Sequence, residues 1–414
     1  MRNPFRALAS ANYRRYWLGQ SVSLLGTWLQ QVAMGWLAWR LSGSPALLGL
    51  IGFCANAGVL VLGPFAGVLV DRIDRRRALW TTQCLAAVQA GGLAALTLAG
   101  RIEVWHLVAL ALALGAISAL DLPLRQALQA ELVGDRTLLP NAIALNSLSF
   151  NVARALGPAL AGALVAALGE GVCFALNALS YVAVLAALAR IDWPPPPPRA
   201  PPVPFAEHWR EGLRYARDFA PLAAALGLLA PLSLAVGPYA TLMPVVAREV
   251  YGGGPHTLGW LLSAAGAGAI AGTLALAARE RSSGYERIAA ASALAAATGL
   301  LGLAAEPPYA LALGMMMLIG GGMMTTAAAL NSLLQTVVEP RLRGRAMSLY
   351  VLAFAGVFPL GALMSGLLAG HFGVQATLAL AGLGALAVVL HYLRRLPRLS
   401  ARLAGEYRRL DLDG

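Results

Sequence analysis

The sequence predicts an all-α membrane protein with twelve transmembrane helices in two six-helix bundles. Hydrophobic residues make up 58% of the 414 residues, charged residues only 12%, and the mean hydropathy is +0.67. A soluble domain carries about 25% charged residues, and a soluble chain this apolar would expose large apolar patches. Helices are expected because lipid offers the backbone no hydrogen-bond partners, whereas a barrel would show an alternating pattern that the sequence lacks.

Twelve apolar stretches are long enough to cross a bilayer, which takes about 20 residues in a helix. The predicted spans are 16–39, 46–70, 78–99, 104–128, 141–168, 171–189, 221–246, 257–278, 288–305, 308–334, 346–370 and 373–393. All 31 basic residues are arginines, and 26 of them lie in connectors or termini that are inside if the N-terminus is inside. Only three lie in outside segments. This asymmetry predicts a multi-pass protein with both termini in the cytoplasm.

A proline-rich segment divides the chain into predicted domains. Residues 193–204 read WPPPPPRAPPVP, and proline cannot occupy a helix interior. We expect a polyproline spacer there, with an SH3-type ligand as the alternative. The following segment, 207–219, has an apolar stripe opposite charged residues, which predicts a helix on the inner leaflet or a solvated linker helix. The domains are then an N-terminal six-helix bundle (1–190), a cytoplasmic linker with a surface helix (191–220), and a C-terminal six-helix bundle with a cytoplasmic tail (221–414).

The two halves of the sequence repeat each other. At an offset of 210 residues, Pro45, Leu48, Gly49 and Gly58 match Pro255, Leu258, Gly259 and Gly268. At an offset of 204, Ala142, Leu145, Gly157, Gly162 and Gly169 match Ala346, Leu349, Gly361, Gly366 and Gly373. The order of the matches favours a six-plus-six duplication. Transporters built from two related halves bind their substrate between them, near the membrane midplane.

Six charges lie in the stretch GVLVDRIDRRR (67–77), between the second and third spans. Topology explains the arginines but not Asp71 and Asp74. A carboxylate at the start of the third helix would face the positive end of that helix and pair with nearby guanidinium groups. Such a cluster can hold helix ends together and release them when the bundle moves.

The same stretch resembles the loop signature of the major facilitator superfamily, with Asp74 where that signature has glycine. The matching residues are Gly67, Asp71, Arg72, Arg75 and Arg76. The resemblance covers nearly the whole chain and implies the major facilitator fold, with these residues forming an inner gate. Asp74 is compatible with a turn, because aspartate tolerates turn conformations.

Two further stretches, 119–146 and 151–162, resemble the bacterial efflux branch of this superfamily that exports drugs and siderophores and includes the enterobactin exporter. Gly157, Pro158 and Gly162 resemble the antiporter motif on helix five of that branch. This resemblance implies export of small organic molecules across a bacterial inner membrane by proton antiport. Apart from the resemblance, small residues let helix five approach a neighbour closely, and ordinary packing is the alternative reading of the motif.

One acid and two arginines lie inside predicted spans. Asp121 and Arg125 are four residues apart in span four and can pair on one helix face, and Arg154 lies deep in span five. Ionisable groups in the membrane are costly and usually functional. One hypothesis is a proton-linked switch, in which protonation of Asp121 frees an arginine for an anionic substrate. The other is a permanent structural ion pair.

Uncharged polar and aromatic side chains within the spans predict a polar-lined cavity for an amphipathic solute. The candidate lining residues are Gln20, Thr27, Gln31, Asn56, Asn146, Tyr239 and Asn331. The first three share one face of the first helix. The alternative is that the amides join neighbouring helices by hydrogen bonds.

Several kinds of chemistry have no motif in the sequence. A P-loop needs lysine, and the chain has none, which argues against ATP-driven transport. We expect no enzyme activity, no metal and no cofactor, and the arginine-rich connectors fit membrane topology better than nucleic acid. The predicted function is a monomeric secondary active transporter whose partners are a small-molecule substrate, protons and membrane lipid. The alternatives are a lysophospholipid or lipid flippase and a non-transporting membrane scaffold.

Overall fold

The computed structural model describes residues 5–70, 73–193, 205–279 and 283–409, and every regular element within these ranges is helical. The first half contains α1 (Ala11–Ser42), α2 (Pro45–Val70), α3 (Arg75–Leu98), α4 (Val104–Val133), α5 (Leu139–Leu168) and α6 (Glu170–Ala189). The linker helix α7 (Phe205–Asp218) follows. The second half contains α8 (Ala220–Ala235), α9 (Tyr239–Val245), α10 (Pro255–Ala277), α11 (Tyr285–Ala304), α12 (Tyr309–Val337), α13 (Arg343–Val351), α14 (Phe358–Phe372) and α15 (Val374–Arg409).

Ten helical segments in the described part of the chain are long and apolar enough to cross a membrane. The chain is therefore a helical membrane protein. Helices α1 and α3 have the length of a span, at 32 and 24 residues, but they are less apolar than these ten. The number of twelve spans in two bundles stays a prediction.

Two predicted spans are interrupted in the structure. Span 221–246 consists of α8 and α9, separated at Gly237 and Pro238 and followed by a π-helical turn at Val246–Val250. Span 346–370 consists of α13 and α14, joined by a π-helical turn at Leu352–Gly356. Proline removes a backbone donor and a π turn inserts an extra residue, so each interruption changes the helical register within an otherwise apolar stretch.

The helices pack into two compact units. The first unit comprises residues 1–43, 54–202 and 252–263, and the second comprises residues 44–53, 203–251 and 264–414. Each unit therefore takes a short segment from the other half of the sequence. The predicted domain boundaries at 190 and 220 stay a prediction, and most of the proline-rich linker, 194–204, lies outside the described residues.

Buried amides join the helices of the first unit. Gln30 of α1 donates from Nε2 to Gln89 Oε1 of α3 over 3.1 Å, and Asn177 of α6 donates from Nδ2 to Gln30 Oε1 over 2.8 Å. Gln89 in turn donates from Nε2 to the backbone oxygen of Leu110 in α4 over 3.1 Å. In lipid, helices associate through close packing and hydrogen bonds rather than through the hydrophobic effect. These three side chains therefore hold four helices together.

The linker helix α7 belongs to the second unit and packs there on α13 through a charged contact. Arg345 of α13 lies 2.6 Å from a carboxylate oxygen of Glu211, and Gly212 beside it is buried. Leu213, on the predicted apolar stripe, is 56% exposed. One face of α7 is thus occupied by protein, while the placement of its apolar stripe on the inner leaflet stays a prediction.

Two glycines from the predicted repeat adopt the same unusual conformation. Gly169 connects α5 to α6, and Gly373 connects α14 to α15. Their φ angles are both +83°, with ψ angles of 169° and 164°. Only glycine adopts this region readily, because a side chain would collide with the backbone. The matched positions therefore make the same turn in both halves of the sequence.

Candidate functional site

The structure places Asp121 of α4 in a polar cluster inside the first unit. Asp121 is 9% exposed. Thr82 Oγ1 and Gln83 Nε2 of α3 donate to its Oδ1 over 2.8 Å and 2.6 Å. Arg125 Nε lies 2.5 Å from its Oδ2, so the two residues form the ion pair that their spacing allows. Asp121 thus has a partner on its own helix and two on α3.

This cluster can link the charge state of Asp121 to the contact between α3 and α4. Neutralising the carboxylate would leave the Arg125 guanidinium without its counter-charge, in a position where an unpaired charge is strongly destabilising. Pro123 lies between the two residues and removes one helical hydrogen bond. The helix is therefore easier to deform at the point where the ion pair forms.

The charged stretch before α3 has a different set of partners. Arg75 forms an ion pair with Glu131 in the last turn of α4, and both side chains are mostly buried, at 24% and 21% exposed. The Arg76 guanidinium lies 5.2 Å from the ring centroid of Trp193, a cation–π distance. Gly67 lies in α2, whereas Asp71 and Arg72 lie outside the described residues. The structure therefore gives partners for Arg75 and Arg76 of the predicted gate.

Asp74 caps the start of α3. Its Oδ1 accepts a hydrogen bond from the backbone N–H of Arg77 over 3.1 Å, and its other oxygen lies 3.4 Å from Arg77 Nε. An N-cap carboxylate satisfies a free backbone donor and favours the positive end of the helix. This role explains how an aspartate can occupy the position where the loop signature has glycine.

The connector after α4 contains a second acid whose carboxylate accepts local hydrogen bonds. Thr137 donates from Oγ1 and from its backbone N–H to the two carboxylate oxygens of Asp135, over 2.7 Å and 2.8 Å. These bonds favour the ionised carboxylate and lower its pKa. Asp135 is exposed, so it serves as a control position for acids that lie within the spans.

Arg154 lies at the middle of α5 and is partly exposed. Among the described residues, no acid forms an ion pair with it, whereas Arg125 is paired with Asp121. The two arginines inside predicted spans are therefore in different states. Arg125 is paired with Asp121, and Arg154 has no acid partner among the residues that the structure describes.

The predicted cavity residues are divided between the two units. Gln20, Thr27, Gln31, Asn56 and Asn146 lie in the first unit, and Tyr239 and Asn331 lie in the second. Gln20 is buried, Thr27 and Gln31 are exposed on α1, and the other four are partly exposed. Asn331 accepts a hydrogen bond from Gln335 on the same helix. The shared face on α1 is thus accessible at Thr27 and Gln31 but not at Gln20.

The helix-five motif contacts two neighbouring helices within the first unit. A Cβ added at Gly157 would lie 2.6 Å from Trp28 Cβ of α1. One added at Gly162 would lie 2.4 Å from the Pro255 carbonyl oxygen of α10 and 3.1 Å from Gly259 Cα. Pro158 is buried, and a Cβ added at Gly259 would lie 2.5 Å from its carbonyl oxygen. The small residues therefore allow direct backbone contact, as the packing interpretation of the motif requires.

The matched positions make the equivalent contact within the second unit. A Cβ added at Gly366 of α14 would lie 2.6 Å from Gly49 Cα of α2 and 2.7 Å from the Pro45 carbonyl oxygen. Pro45 and Gly49 match Pro255 and Gly259 in the sequence repeat, as Gly366 matches Gly162. Each unit thus contains one such contact between a glycine and a Pro–Gly helix start.

A cavity of about 460 Å³ lies beside α3 and α4 of the first unit. Its lining is mostly apolar and includes Ile73, Leu85 and Leu120, with Asp74 and Arg77 at the start of α3. Thr82 also lines it, and Thr82 is the side chain that donates to Asp121. The cavity therefore reaches a side chain that donates to Asp121, but neither Asp121 nor Arg125 lines it.

Sequence reasoning missed Thr82, Gln83 and Glu131. Glu131 lay beyond the predicted end of span four at residue 128, but α4 continues to Val133. Thr82 and Gln83 are uncharged, and the spans contain many other uncharged polar residues. Their one available signal was adjacency, because Thr81, Thr82 and Gln83 are three polar side chains in succession inside an apolar span, and such a run is a candidate for contact with a buried charge.

The profile of the transmembrane secretion effector family matches residues 2–408 of the chain. The chain is 25% identical over 383 residues to the staphyloferrin A transporter of Staphylococcus aureus, covering 91% of this chain and 94% of that protein. It is 25% identical over 385 residues to the multidrug efflux pump Tap of Mycolicibacterium fortuitum, covering 90% and 93%. It is 22% identical over 370 residues to macrolide efflux protein A of Streptococcus pyogenes, covering 88% and 91%.

Solved structures of two other transporters have a fold similar to that of this chain. A bacterial homolog of the human lysosomal transporter Spinster, in an inward-facing and unoccupied conformation, is similar with a TM-score of 0.71 and 15% identity. The match covers 95% of this chain and 97% of that chain. The nucleoside transporter NupG matches with a TM-score of 0.67 and 14% identity, over 93% and 99%. At these identities the likeness concerns the fold alone.

Proposed function

Because the chain belongs to the transmembrane secretion effector family of the major facilitator superfamily, we propose that it exports small organic molecules by secondary active transport. The family and its named relatives are transporters, so the chain is a membrane transporter and not an enzyme. The proposed setting is a bacterial inner membrane, with twelve spans in two six-helix bundles, both termini in the cytoplasm, and a monomer in contact with lipid.

The observation that carries the mechanism is the buried pair of Asp121 and Arg125 with its two donors on α3. In the proposed cycle, a proton binds Asp121 from the side of higher proton concentration and releases Arg125. Thr82 and Gln83 then lose their charged acceptor, so the contact between α3 and α4 weakens. Alternating access follows when this weakened state exposes the solute site to the other side of the membrane.

The loop cluster acts as a gate in this proposal. Arg75 and Glu131 hold the start of α3 against the end of α4, and Asp74 fixes the helix start itself. We assign the acid of the gate to Asp71 and its neighbouring guanidinium to Arg72, from the resemblance. We expect Asp71→Asn to slow transport without preventing insertion, and an unchanged rate would remove Asp71 from the gate.

The relatives give the class of solute in broad terms. Their names refer to a siderophore, to macrolides and to several drugs. Accessible polar side chains at Thr27 and Gln31, with Trp28 between them on α1, fit a solute that has both polar and apolar parts. We propose an amphipathic organic solute of this kind as the substrate.

Transport in proteoliposomes with an imposed pH gradient tests the coupling residue. Asp121→Asn is compared with Asp135→Asn, which removes an acid of the same charge from an exposed connector. We expect Asp135→Asn to transport like the wild type and Asp121→Asn to lose its response to the gradient while retaining exchange down a solute gradient. Full gradient-driven accumulation by Asp121→Asn would show that another group carries the proton.

A second candidate function, lipid movement, is favoured by the largely apolar cavity on α3 and α4. A flippase would move a fluorescent lysophospholipid between leaflets of the same proteoliposomes without any soluble substrate. Accessibility of that lipid to dithionite from outside measures the movement. Export of soluble solutes with no change in lipid accessibility would exclude this alternative.

A further inference from the structure

We infer that Arg154 binds the anionic group of the exported solute, and that the solute class is therefore an amphipathic organic anion. This inference rests on the transport function proposed above and adds the charge of the substrate to it. Arg154 is the sixteenth residue of the 30-residue helix α5. At 1.5 Å per residue, its Cα lies roughly 22 Å from either end of the helix, near the middle of a membrane whose apolar core is about 30 Å thick.

The acids of the first unit that form ion pairs are paired with other arginines. Asp121 pairs with Arg125, Glu131 with Arg75, and Glu170 with Arg40. In the described part of the chain, none of them is available as a counter-charge for Arg154. A charged side chain facing lipid at this depth is costly, and such residues face water-filled cavities or partners instead. A partly exposed guanidinium without an acid therefore requires an aqueous cavity and an external anion.

The surface of α5 has faces that differ in what they contact, and beyond Arg154 the residues Pro158 and Gly162 pack on α10. One face packs on α1, where Tyr13 donates to the Ala142 carbonyl oxygen over 2.8 Å and Ser21 lies 3.0 Å from Ser149. A second face is apolar and open, with exposed fractions of 50% at Leu148, 41% at Val152 and 55% at Leu156. This pattern of four-residue steps is that of a lipid-facing stripe.

The third face carries polar side chains. Ser147, Asn151 and Arg154 follow each other at steps of four and three residues, which places them on one side of the helix. At about 100° per residue, the mean direction of these three residues is rotated about the helix axis by roughly 130° from that of the apolar residues 148, 152 and 156. Asn151 uses its Nδ2 to donate to the Ser147 carbonyl oxygen. Phe150, one turn before Arg154, and Ile143 are apolar side chains on the same side, 45% and 53% exposed, so this face is mixed. Because a charge that faces lipid at this depth is costly, we assign the guanidinium, together with Ser147 and Asn151, to an aqueous cavity.

An aromatic ring lies one turn along from Arg154. Trp28 packs on Gly157, which is three residues after Arg154, and the tryptophan is partly exposed. A guanidinium forms paired, charge-assisted hydrogen bonds with carboxylate, sulfonate or phosphate oxygens, and an indole ring contributes apolar contact. The combination favours an anion attached to an apolar or aromatic body over a cation of the same size.

Equilibrium binding to the purified full-length protein in nanodiscs tests the inference with two probes of equal ring size. Pyrenesulfonate is the anion, and pyrenylmethyl-trimethylammonium is the matched cation, with binding followed by fluorescence anisotropy. We expect the anion to bind at least about tenfold more tightly. Arg154→Gln should weaken anion binding by about 10-fold to 100-fold, the range for a charge-assisted hydrogen bond, and leave the cation unaffected.

Two controls keep the result interpretable. Arg154→Lys retains the charge and should keep part of the preference for the anion. If Arg154→Gln does not fold, the anion and cation affinities of Arg154→Lys and of the wild type test the inference instead. Arg101→Gln removes an exposed arginine from the connector between α3 and α4 and should bind both probes like the wild type. Equal affinity for both probes in the wild type, or unchanged anion binding in a folded Arg154→Gln, would overturn the inference.

Binding at equilibrium separates this inference from the proposed function. A protein that selects the anion through Arg154 but moves no solute refutes export and leaves the binding assignment intact. A protein that exports solute but binds the anionic and the cationic probe equally refutes the anion assignment and leaves export intact.

Discussion

Replacing Gly162 by alanine would disturb the contact between α5 and α10. The added Cβ would lie 2.4 Å from the Pro255 carbonyl oxygen, whereas ordinary contacts of this kind begin at 3.4 Å. The two helices would therefore have to separate by about 1 Å at this point. Overpacking of this size costs about 1–3 kcal/mol. An alanine is otherwise better than a glycine inside a helix by about 0.5–1 kcal/mol, which offsets part of the loss.

Gly91→Ala in α3 is the matched control, because a Cβ there meets nothing within 4 Å. It should gain the helix preference without the clash, so the difference between the two variants isolates the steric cost of about 1–3 kcal/mol. Expressed as a population, that difference disfavours the conformation with the close contact by about 5-fold to 150-fold. The equivalent variant Gly366→Ala, whose Cβ would lie 2.6 Å from Gly49 Cα, should behave like Gly162→Ala.

The assays are thermal unfolding of the detergent-solubilised protein and the initial rate of solute export. Gly162→Ala and Gly366→Ala should both unfold at lower temperature than Gly91→Ala, and both should change the export rate. Equal unfolding temperatures and equal rates for all three variants would refute the reasoning, because they would mean that the helices do not approach as closely as described.

Three other contacts give predictions that thermal unfolding can check. Asp74→Ala should lose about 1 kcal/mol of stability through loss of the helix cap, whereas Asp74→Gly should lose only a few tenths, and equal losses would argue against capping. Arg75→Gln and Glu131→Gln should each lower the free energy of unfolding by about 1–3 kcal/mol. The charge-reversed double variant Arg75→Glu/Glu131→Arg should recover at least half of that loss. If the losses of the single variants simply add in the double variant, the two residues do not form a direct pair. Gln30→Leu should cost about 1–3 kcal/mol because its buried amide partners lose their bonds, whereas Gln31→Leu, on the exposed neighbour, should be near neutral. The network assignment fails if the two glutamine variants unfold alike.

Hydropathy was sufficient to place the helices but not their ends. The predicted first span covers 16–39, whereas α1 runs from Ala11 to Ser42. Ser10 caps this helix by accepting from the backbone N–H of Tyr13 over 3.4 Å, six residues before the apolar stretch begins. The apolar pattern marks the part of a helix that lies in lipid, and helices continue beyond it into water. The π turns in two spans were missed for a related reason, since an apolar stretch carries no signal for hydrogen-bond register.

The candidate site could be predicted only as far as spacing along one helix. Asp121 and Arg125 are neighbours by the helical repeat, and their ion pair follows from that spacing. The donors Thr82 and Gln83 come from α3, and their contact with Asp121 depends on how two helices pack, which one sequence does not specify. The cation–π contact between Arg76 and Trp193 joins residues 117 positions apart, and it was missed for the same reason.

The sequence repeat identified equivalent positions but not the partners they contact. Gly162 and Gly366 were matched by their offset, as were Gly49 and Gly259. The structure adds that Gly162 contacts Gly259 and that Gly366 contacts Gly49. A sequence repeat shows which positions are equivalent, whereas three-dimensional packing determines which residues are in contact.

Coupled flux in proteoliposomes tests the central claim of secondary transport most directly. Purified protein is reconstituted without nucleotide, a pH gradient is imposed, and accumulation of pyrenesulfonate and of radiolabelled erythromycin is followed together with internal pH, reported by pyranine. The account predicts that at least one of these solutes accumulates against its gradient while protons move in the opposite direction, and that nigericin abolishes the accumulation. Accumulation that persists after the pH gradient has collapsed, or solute movement with no opposing proton flux, would contradict it.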